Sequence, residues 1–113
     1  MTRQRPPARL RPLAETDLIE RTRWYRSAGG EALAVRFFNA ALAALRSPER
    51  MPGIGSPLAG EWAGIPGLRA RPVTGFPVQW YYFVADDHLD VVRLLADAQD
   101  LPVVLRLGDT PQH

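Results

Sequence analysis

Three arginines on predicted strands are the side chains of this sequence best placed to do chemistry. Arg69 and Arg71 are two residues apart, so they project from the same face of their strand. Arg93 stands in an apolar strand, where a charge needs either a partner, such as the carboxylate of Asp100, or an opening onto a groove. Guanidinium groups make planar two-point contacts with phosphates and carboxylates. All three are therefore candidates for contacting a target or partner.

Other catalytic chemistry is not supported by the sequence. The two histidines, His88 at a predicted turn and His113 at the end of the chain, are too few for a metal cluster. No serine has a histidine placed to activate it, and the glycines between residues 53 and 67 do not connect a strand to a helix, as those of a phosphate loop would. There is no cysteine. We therefore expect no catalytic residue, no metal and no cofactor.

The first half of the chain has the pattern of one strand followed by two helices. Residues 8–13 alternate apolar and basic side chains, which predicts a short edge strand. From Thr16 or Asp17 the apolar period becomes three to four residues, which predicts a helix ending at Gly29-Gly30. A second helix runs from Glu31 to Ser47, before a proline, and the two-glycine link allows only an antiparallel hairpin. Its apolar stripe, predicted to be core, comprises Ala34, Phe37, Phe38, Ala41, Leu42 and Leu45.

The second half has the pattern of a loop followed by an antiparallel meander. Residues 48–67 contain four prolines and five glycines, which predicts an extended loop. Asp86-Asp87 is typical of a tight hairpin turn, and the strand before it is apolar on both sides, which indicates a central position. Residues 101–107 predict a last strand or a short helix. The three strands of the meander are predicted at Leu68 to Thr74, Val78 to Ala85 and His88 to Ala96.

Composition favours one α+β domain. With 113 residues, 46% of them hydrophobic and 23% charged, the chain has the size and balance of a single globular domain. We expect this domain to span residues 1–113, with flexible tails at 1–7 and 108–113. The longest apolar run, Trp80 to Ala85, is far shorter than the roughly 20 residues that cross a bilayer, and the N-terminus lacks the apolar core of a signal peptide. These features predict a cytoplasmic protein without a membrane span.

Charge is distributed unevenly along the chain. All 14 basic residues are arginine, which follows either from a GC-rich genome or from a need for two-point contacts with anions. Residues 1–50 carry ten arginines and five acids, whereas residues 51–113 carry four arginines and seven acids. The basic half is either a surface for an acidic partner or a set of solvated helical side chains.

The ordered set of residues across roughly positions 8–105 resembles the ParE branch of the ParE/RelE toxins. The resemblance implies a helical hairpin packed on a twisted antiparallel sheet of three to four strands. It also implies the toxin of a type II toxin–antitoxin system that a cognate antitoxin neutralises, that inhibits DNA gyrase, and that by itself binds no specific DNA sequence. The residues that carry it are Ala14, Asp17, Leu18, Tyr25, Phe38, Pro66 to Arg69, Val73, Gly75, Phe76, Tyr82, Val91 to Leu95, Asp100 and Leu101.

Two departures from the family pattern keep other activities open. ParE-like chains end the last strand with a histidine followed shortly by Arg-Asp, and here Ala96 and Gln99 hold the corresponding places. Arg69 and Arg71 match a basic pair of the RelE-like branch, the ribosome-dependent mRNA endonucleases, but Gln79 replaces the arginine of the next strand. The alternatives are therefore an mRNA interferase or a member that only binds antitoxin. The residues expected to contact a target or partner are Arg69, Arg71, Arg93, Gln79 and Gln99.

Overall fold

The computed structural model describes residues 7–96, which form four helices packed on both faces of a mixed four-stranded sheet. The sheet order is β1-β4-β3-β2, with β1 parallel to β4 and the other pairs antiparallel. Within these residues no helix is long and apolar enough to span a membrane. The predicted α+β fold is confirmed, and β2, β3 and β4 form the predicted antiparallel meander, but β1 joins parallel to β4, so the four-stranded sheet is mixed and not antiparallel throughout. The elements are β1 (Ala8–Leu10), α1 (Pro12–Gly29), α2 (Glu31–Ala44), α3 (Arg46–Arg50), a 3-10 turn (Pro52–Ile54), α4 (Leu58–Ala63), β2 (Arg69–Pro72), β3 (Gln79–Val84) and β4 (Leu89–Leu95).

The first strand is shorter than predicted, and the first helix begins earlier. Pro12 opens α1, a position where proline is favoured because the first N–H of a helix needs no partner and φ is already suitable. The strand therefore ends at Leu10, and Thr16 lies inside the helix instead of at its start. Directly before β1, the Pro7 carbonyl accepts a hydrogen bond from the N–H of Leu89 at 2.8 Å.

The helical hairpin is confirmed, and Gly30 makes it possible. Gly30 has φ of 92°, in the region that favours glycine, and its N–H donates to the Arg26 carbonyl at 2.8 Å. The connection is a single residue, so α1 and α2 pack side by side.

Proline and glycine were misleading signals between residues 44 and 67. The second helix ends at Ala44, and Pro48, predicted to terminate it, lies in the first turn of α3. The predicted extended loop contains a 3-10 turn and α4, which Gly64 ends with φ of 72°. Proline is favoured at the start of a helix and glycine at its end. The many prolines and glycines of this segment therefore mark the ends of short helices, and the segment is not an extended loop.

The sheet is covered by helices on both faces, which explains why β3 is apolar on both sides. The hairpin covers the face bearing Trp80 and Tyr82, and the Trp80 indole donates to the Ala41 carbonyl at 2.8 Å. Helix α4 contributes Ala63 to a second cluster with Tyr81 on the opposite face. As predicted, β3 is an interior strand, and β4 is interior as well. The predicted element at residues 101–107 and the C-terminal tail lie outside the described residues.

Phe38 is not part of the core, contrary to expectation. Helix α2 packs inward through Ala34, Phe37 and Ala41, whereas Phe38 is 38% exposed. Phe37 is fully buried, with its ring centroid 4.8 Å from that of Tyr25. The apolar stripe of α2 is wider than the surface that α1 and the sheet can cover, so one side of it remains exposed.

Adjacent phenylalanines of α2 should therefore respond differently to truncation. We expect Phe37→Ala to lower the free energy of unfolding by about 3–5 kcal/mol, because it leaves a cavity among packed rings. Phe38→Ala should cost at most about 1 kcal/mol, because its side chain already contacts solvent. Urea denaturation of both variants measures the difference. Equal losses would contradict this orientation of α2.

Candidate functional site

Arg93 is held by a carboxylate of the first helix. Its Nε donates to Asp17 Oδ2 at 2.7 Å and its guanidinium donates to Oδ1 at 2.9 Å, with the two side chains only 14% and 13% exposed. The same Oδ2 accepts the backbone N–H of Leu94 at 3.0 Å. The hydrogen bond to Asp17 raises the pKa of Arg93. The salt-bridge interpretation of Arg93 is therefore correct, with Asp17 as the carboxylate; Asp100 lies outside the described residues.

Arg69 is also engaged within the chain. Its guanidinium donates to the carbonyls of Gly53 and Gly55 at 3.1 and 2.6 Å. The Tyr82 hydroxyl accepts the N–H of Gly55 at 3.0 Å and donates to the Pro52 carbonyl at 2.8 Å. Burial raises the pKa of Tyr82. These two side chains of the sheet thus hold the linker between α3 and α4 in place.

The remaining predicted residues do not converge on one site. Arg71 lies opposite Trp80 and shares its face, which is the face toward the helical hairpin. Gln79 precedes Trp80 in β3 and so belongs to the other face of the sheet. Both are half-buried, and Gln99 lies outside the described residues. Arg69 and Arg71 share one face of β2 and both act on the charge of Tyr82, whereas Gln79 lies on the other face of the sheet. Within residues 7–96, the predicted residues therefore do not all face one point.

A groove that the sequence did not predict runs between α1 and α2. It has a volume of about 300 Å³. Large apolar side chains on its walls are exposed, including Ile19 on α1 and Val35 and Phe38 on α2. The Thr22 hydroxyl donates to the Leu18 carbonyl at 2.7 Å, so this polar group is already satisfied within its helix. The lining residues are Ile19, Thr22, Arg23, Arg26, Ala34, Val35 and Phe38.

The sequence contained a signal for this groove. Val35, Phe38 and Leu42 follow one another at three and four residues, which is a second helical stripe beside the buried one. All three are exposed in the folded chain. Helix α1 and the sheet cover one of the two adjacent apolar stripes of α2, which leaves the second stripe for another partner.

The charged side chains that line the groove are all positive. Its charged lining residues are the arginines Arg23 and Arg26, and no acidic side chain is among them. Arg26 also reaches Glu31 at 2.6 Å, in a pair exposed to solvent. An open apolar channel between two helices with cationic edges suits the apolar face of an amphipathic helix flanked by acids. The arrangement is suited to binding.

Comparison with known proteins gives a match at the level of structure. No protein-family model matches the chain, and no curated protein matches it by sequence. A solved chain of the chromosomal ParDE TA system from P. aeruginosa superposes with a TM-score of 0.67 and 16% identity, covering 79% of this chain and 92% of that one. At this identity the likeness establishes the fold alone. The fold is ParE-like, as the resemblance in the sequence implied.

The contact between Asp17 and Arg93 yields a stability prediction. Asp17→Ala should lower the free energy of unfolding by about 3–5 kcal/mol, because it leaves a poorly solvated guanidinium without its partner. Glu31→Ala, which breaks the exposed pair with Arg26, is the matched control and should change stability little. Chemical denaturation of both variants measures the effect. Similar small losses for the two would show that the Asp17 pair contributes no more than a surface pair.

Proposed function

We propose that this protein is the toxin of a type II toxin–antitoxin system that acts in the cytoplasm. The observation that carries the proposal is the exposed apolar groove between α1 and α2, on a ParE-like fold. A small domain that leaves Ile19, Val35 and Phe38 exposed side by side has a surface suited to a permanent partner. The partner is the cognate antitoxin, and its amphipathic segment occupies this groove.

The lining of the groove specifies the chemistry of that segment. Its apolar walls require an apolar helix face with anchors three and four residues apart. Arg23 and Arg26 favour acids on the flanks of the same helix, which would also speed association at low salt. A segment of this kind that folds only on binding would bury a large area.

The proposed target is DNA gyrase, as in the ParE branch that the sequence resembles. Cleavage of mRNA needs cations that converge on developing negative charge. Arg69 and Arg93 already bind carbonyls and a carboxylate of this chain, and Gln79 lies on the opposite face from Arg71. These contacts favour inhibition by binding over the mRNA interferase activity. Arg71 and Gln79 remain proposed target contacts, as does Gln99 outside the described residues.

The groove assignment predicts which substitutions weaken antitoxin binding. With the product of the adjacent reading frame as ligand, Val35→Asp and Phe38→Asp should each weaken affinity about 100-fold, because a carboxylate would be buried against an apolar helix. Calorimetry of the unsubstituted chain should give a strongly negative heat capacity change.

Val84→Asp is the matched control for these variants, because Val84 is a similarly exposed apolar residue at the end of β3, outside the groove. It should bind as the parent does. Failure of the parent to bind the adjacent product, or an equal loss with all three variants, would contradict the assignment.

The target assignment predicts the outcome of two assays on one preparation. The purified chain should inhibit gyrase supercoiling or trap gyrase-cleaved DNA, and should leave ribosome-bound mRNA intact. Arg71→Ala should weaken gyrase inhibition without loss of folding, because Arg71 is half-exposed on an edge strand. Codon-specific cuts in mRNA would instead identify an interferase. Inactivity in both assays would identify a chain that only binds antitoxin.

A further inference from the structure

Helix α4 presents two large apolar side chains to solvent on one side. Leu58 and Trp62 are four residues apart, so they lie on the same face of the helix, and they are 67% and 55% exposed. Glu61 is exposed as well and lies at the edge of that face, directly before Trp62. An apolar pair with a carboxylate beside it is the kind of helix that the α1–α2 groove is suited to bind. We call Leu58, Glu61 and Trp62 the α4 face.

The opposite side of α4 is packed, which directs the α4 face outward. Ala63 is buried in the second core cluster together with Tyr81. At Gly60 a Cβ atom would lie 2.7 Å from the carbonyl oxygens of Ile65 and Leu68, so the backbone after α4 approaches the helix too closely for any other residue. The helix cannot turn its apolar pair inward without losing these contacts. Leu58 and Trp62 therefore stay available to a second molecule.

The α4 face and the α1–α2 groove lie on opposite sides of the sheet. Helix α4 packs on the face bearing Tyr81, whereas the hairpin covers the face bearing Trp80. Neighbouring residues of a strand point to opposite faces, so the sheet stands between the two helical layers. The α4 face cannot reach the groove of its own chain. Each molecule therefore carries both halves of a contact that it can complete only with a second molecule.

The groove can receive the side chains of the α4 face. It has a volume of about 300 Å³, and the exposed side chains of Val35 and Phe38 form its wall on α2. Tryptophan offers more apolar area than other side chains and is enriched among residues that dominate binding energy, so Trp62 is the expected anchor. Its insertion would remove apolar surface of both molecules from water, which drives association.

The charges of the two surfaces are opposite. The charged residues that line the groove are Arg23 and Arg26. Arg26 is paired with Glu31 at 2.6 Å, so Arg23 is the guanidinium that a carboxylate of another molecule meets first. Glu61, at the edge of the apolar pair, supplies such a carboxylate. Opposite charges across a contact favour this pairing over one with a basic helix and help to fix its register.

We infer that, without antitoxin, a second copy of this chain occupies the α1–α2 groove through its α4 face, with Glu61 of one copy at Arg23 of the other. The two surfaces differ, so the contact is head-to-tail, and each added copy leaves a free α4 face and a free groove. Helix α4 has six residues, so the interface is small and the association weak. An antitoxin segment in the same groove displaces the second copy. That competition rests on the proposed function, whereas the self-association does not.

Sedimentation velocity of the full chain tests the self-association with no other protein present. The sedimentation coefficient of the parent should rise with concentration. Trp62→Ala and Phe38→Asp should each weaken the association about 30-fold, because one removes the anchor and the other places a carboxylate in the apolar wall. Val84→Asp is the matched control, because it alters an exposed apolar residue outside both surfaces, and it should associate as the parent does.

Mixing the two weakened variants distinguishes a head-to-tail contact from a symmetric one. Trp62→Ala retains the groove and Phe38→Asp retains the α4 face, so the mixture should form one-to-one dimers that grow no further. Glu61→Arg and Arg23→Glu should each weaken the association of the chain about 10-fold. Both changes in one chain should restore it to within about twofold of the parent.

The outcomes separate this inference from the proposed function. A parent that stays monomeric at every concentration would overturn it, as would variants that associate like the parent or a mixture without dimers. A parent that self-associates but does not bind the product of the adjacent reading frame would support the inference and remove the antitoxin assignment. A parent that binds that product without self-associating would do the reverse.

Discussion

The arrangement of this fold depends on the hydrogen bonds that the Asp17 carboxylate accepts from Arg93 and Leu94. Strand β1 pairs with only the first three residues of β4, so the rest of that edge has no neighbouring strand within residues 7–96. Asp17 occupies the edge there, accepting the N–H of Leu94 and two bonds from Arg93. A second two-point pair, Arg11 with Asp90 at 2.8 and 2.7 Å, fixes the start of α1. The first helix is thereby held to the sheet by polar contacts as well as by its buried apolar face.

With α1 fixed, the position of α2 follows, and so does the groove. The single-residue turn at Gly30 keeps the helices adjacent, and the Trp80 indole bonded to the Ala41 carbonyl ties α2 to the sheet. Phe37 faces inward in this arrangement, so Phe38 must lie on the flank of the helix. The exposed apolar wall is therefore a geometric consequence of the packing that stabilises the hairpin. The stripe of Val35, Phe38 and Leu42 therefore stays exposed in the isolated domain, and a bound helix would bury it.

Apolar periodicity and turn residues were sufficient to predict the main helices and strands. They could not predict side-chain contacts between residues that are far apart in the sequence. The hairpin and the three strands of the meander followed from apolar spacing and from Gly29-Gly30. The identity of the Arg93 partner could not follow, because Asp17 lies 76 residues away. The same holds for Arg69, whose partners are backbone carbonyls that carry no side-chain signal. The exposed flank of α2 was missed because a buried and an unpartnered apolar stripe look alike in sequence.

The most direct test of this account is a crystal structure of the chain bound to the product of its adjacent reading frame. The account predicts a helix of that partner lying between α1 and α2, with apolar side chains against Ile19, Val35 and Phe38 and acids near Arg23 or Arg26. A complex in which this groove stays open to solvent while the partner binds elsewhere would contradict it.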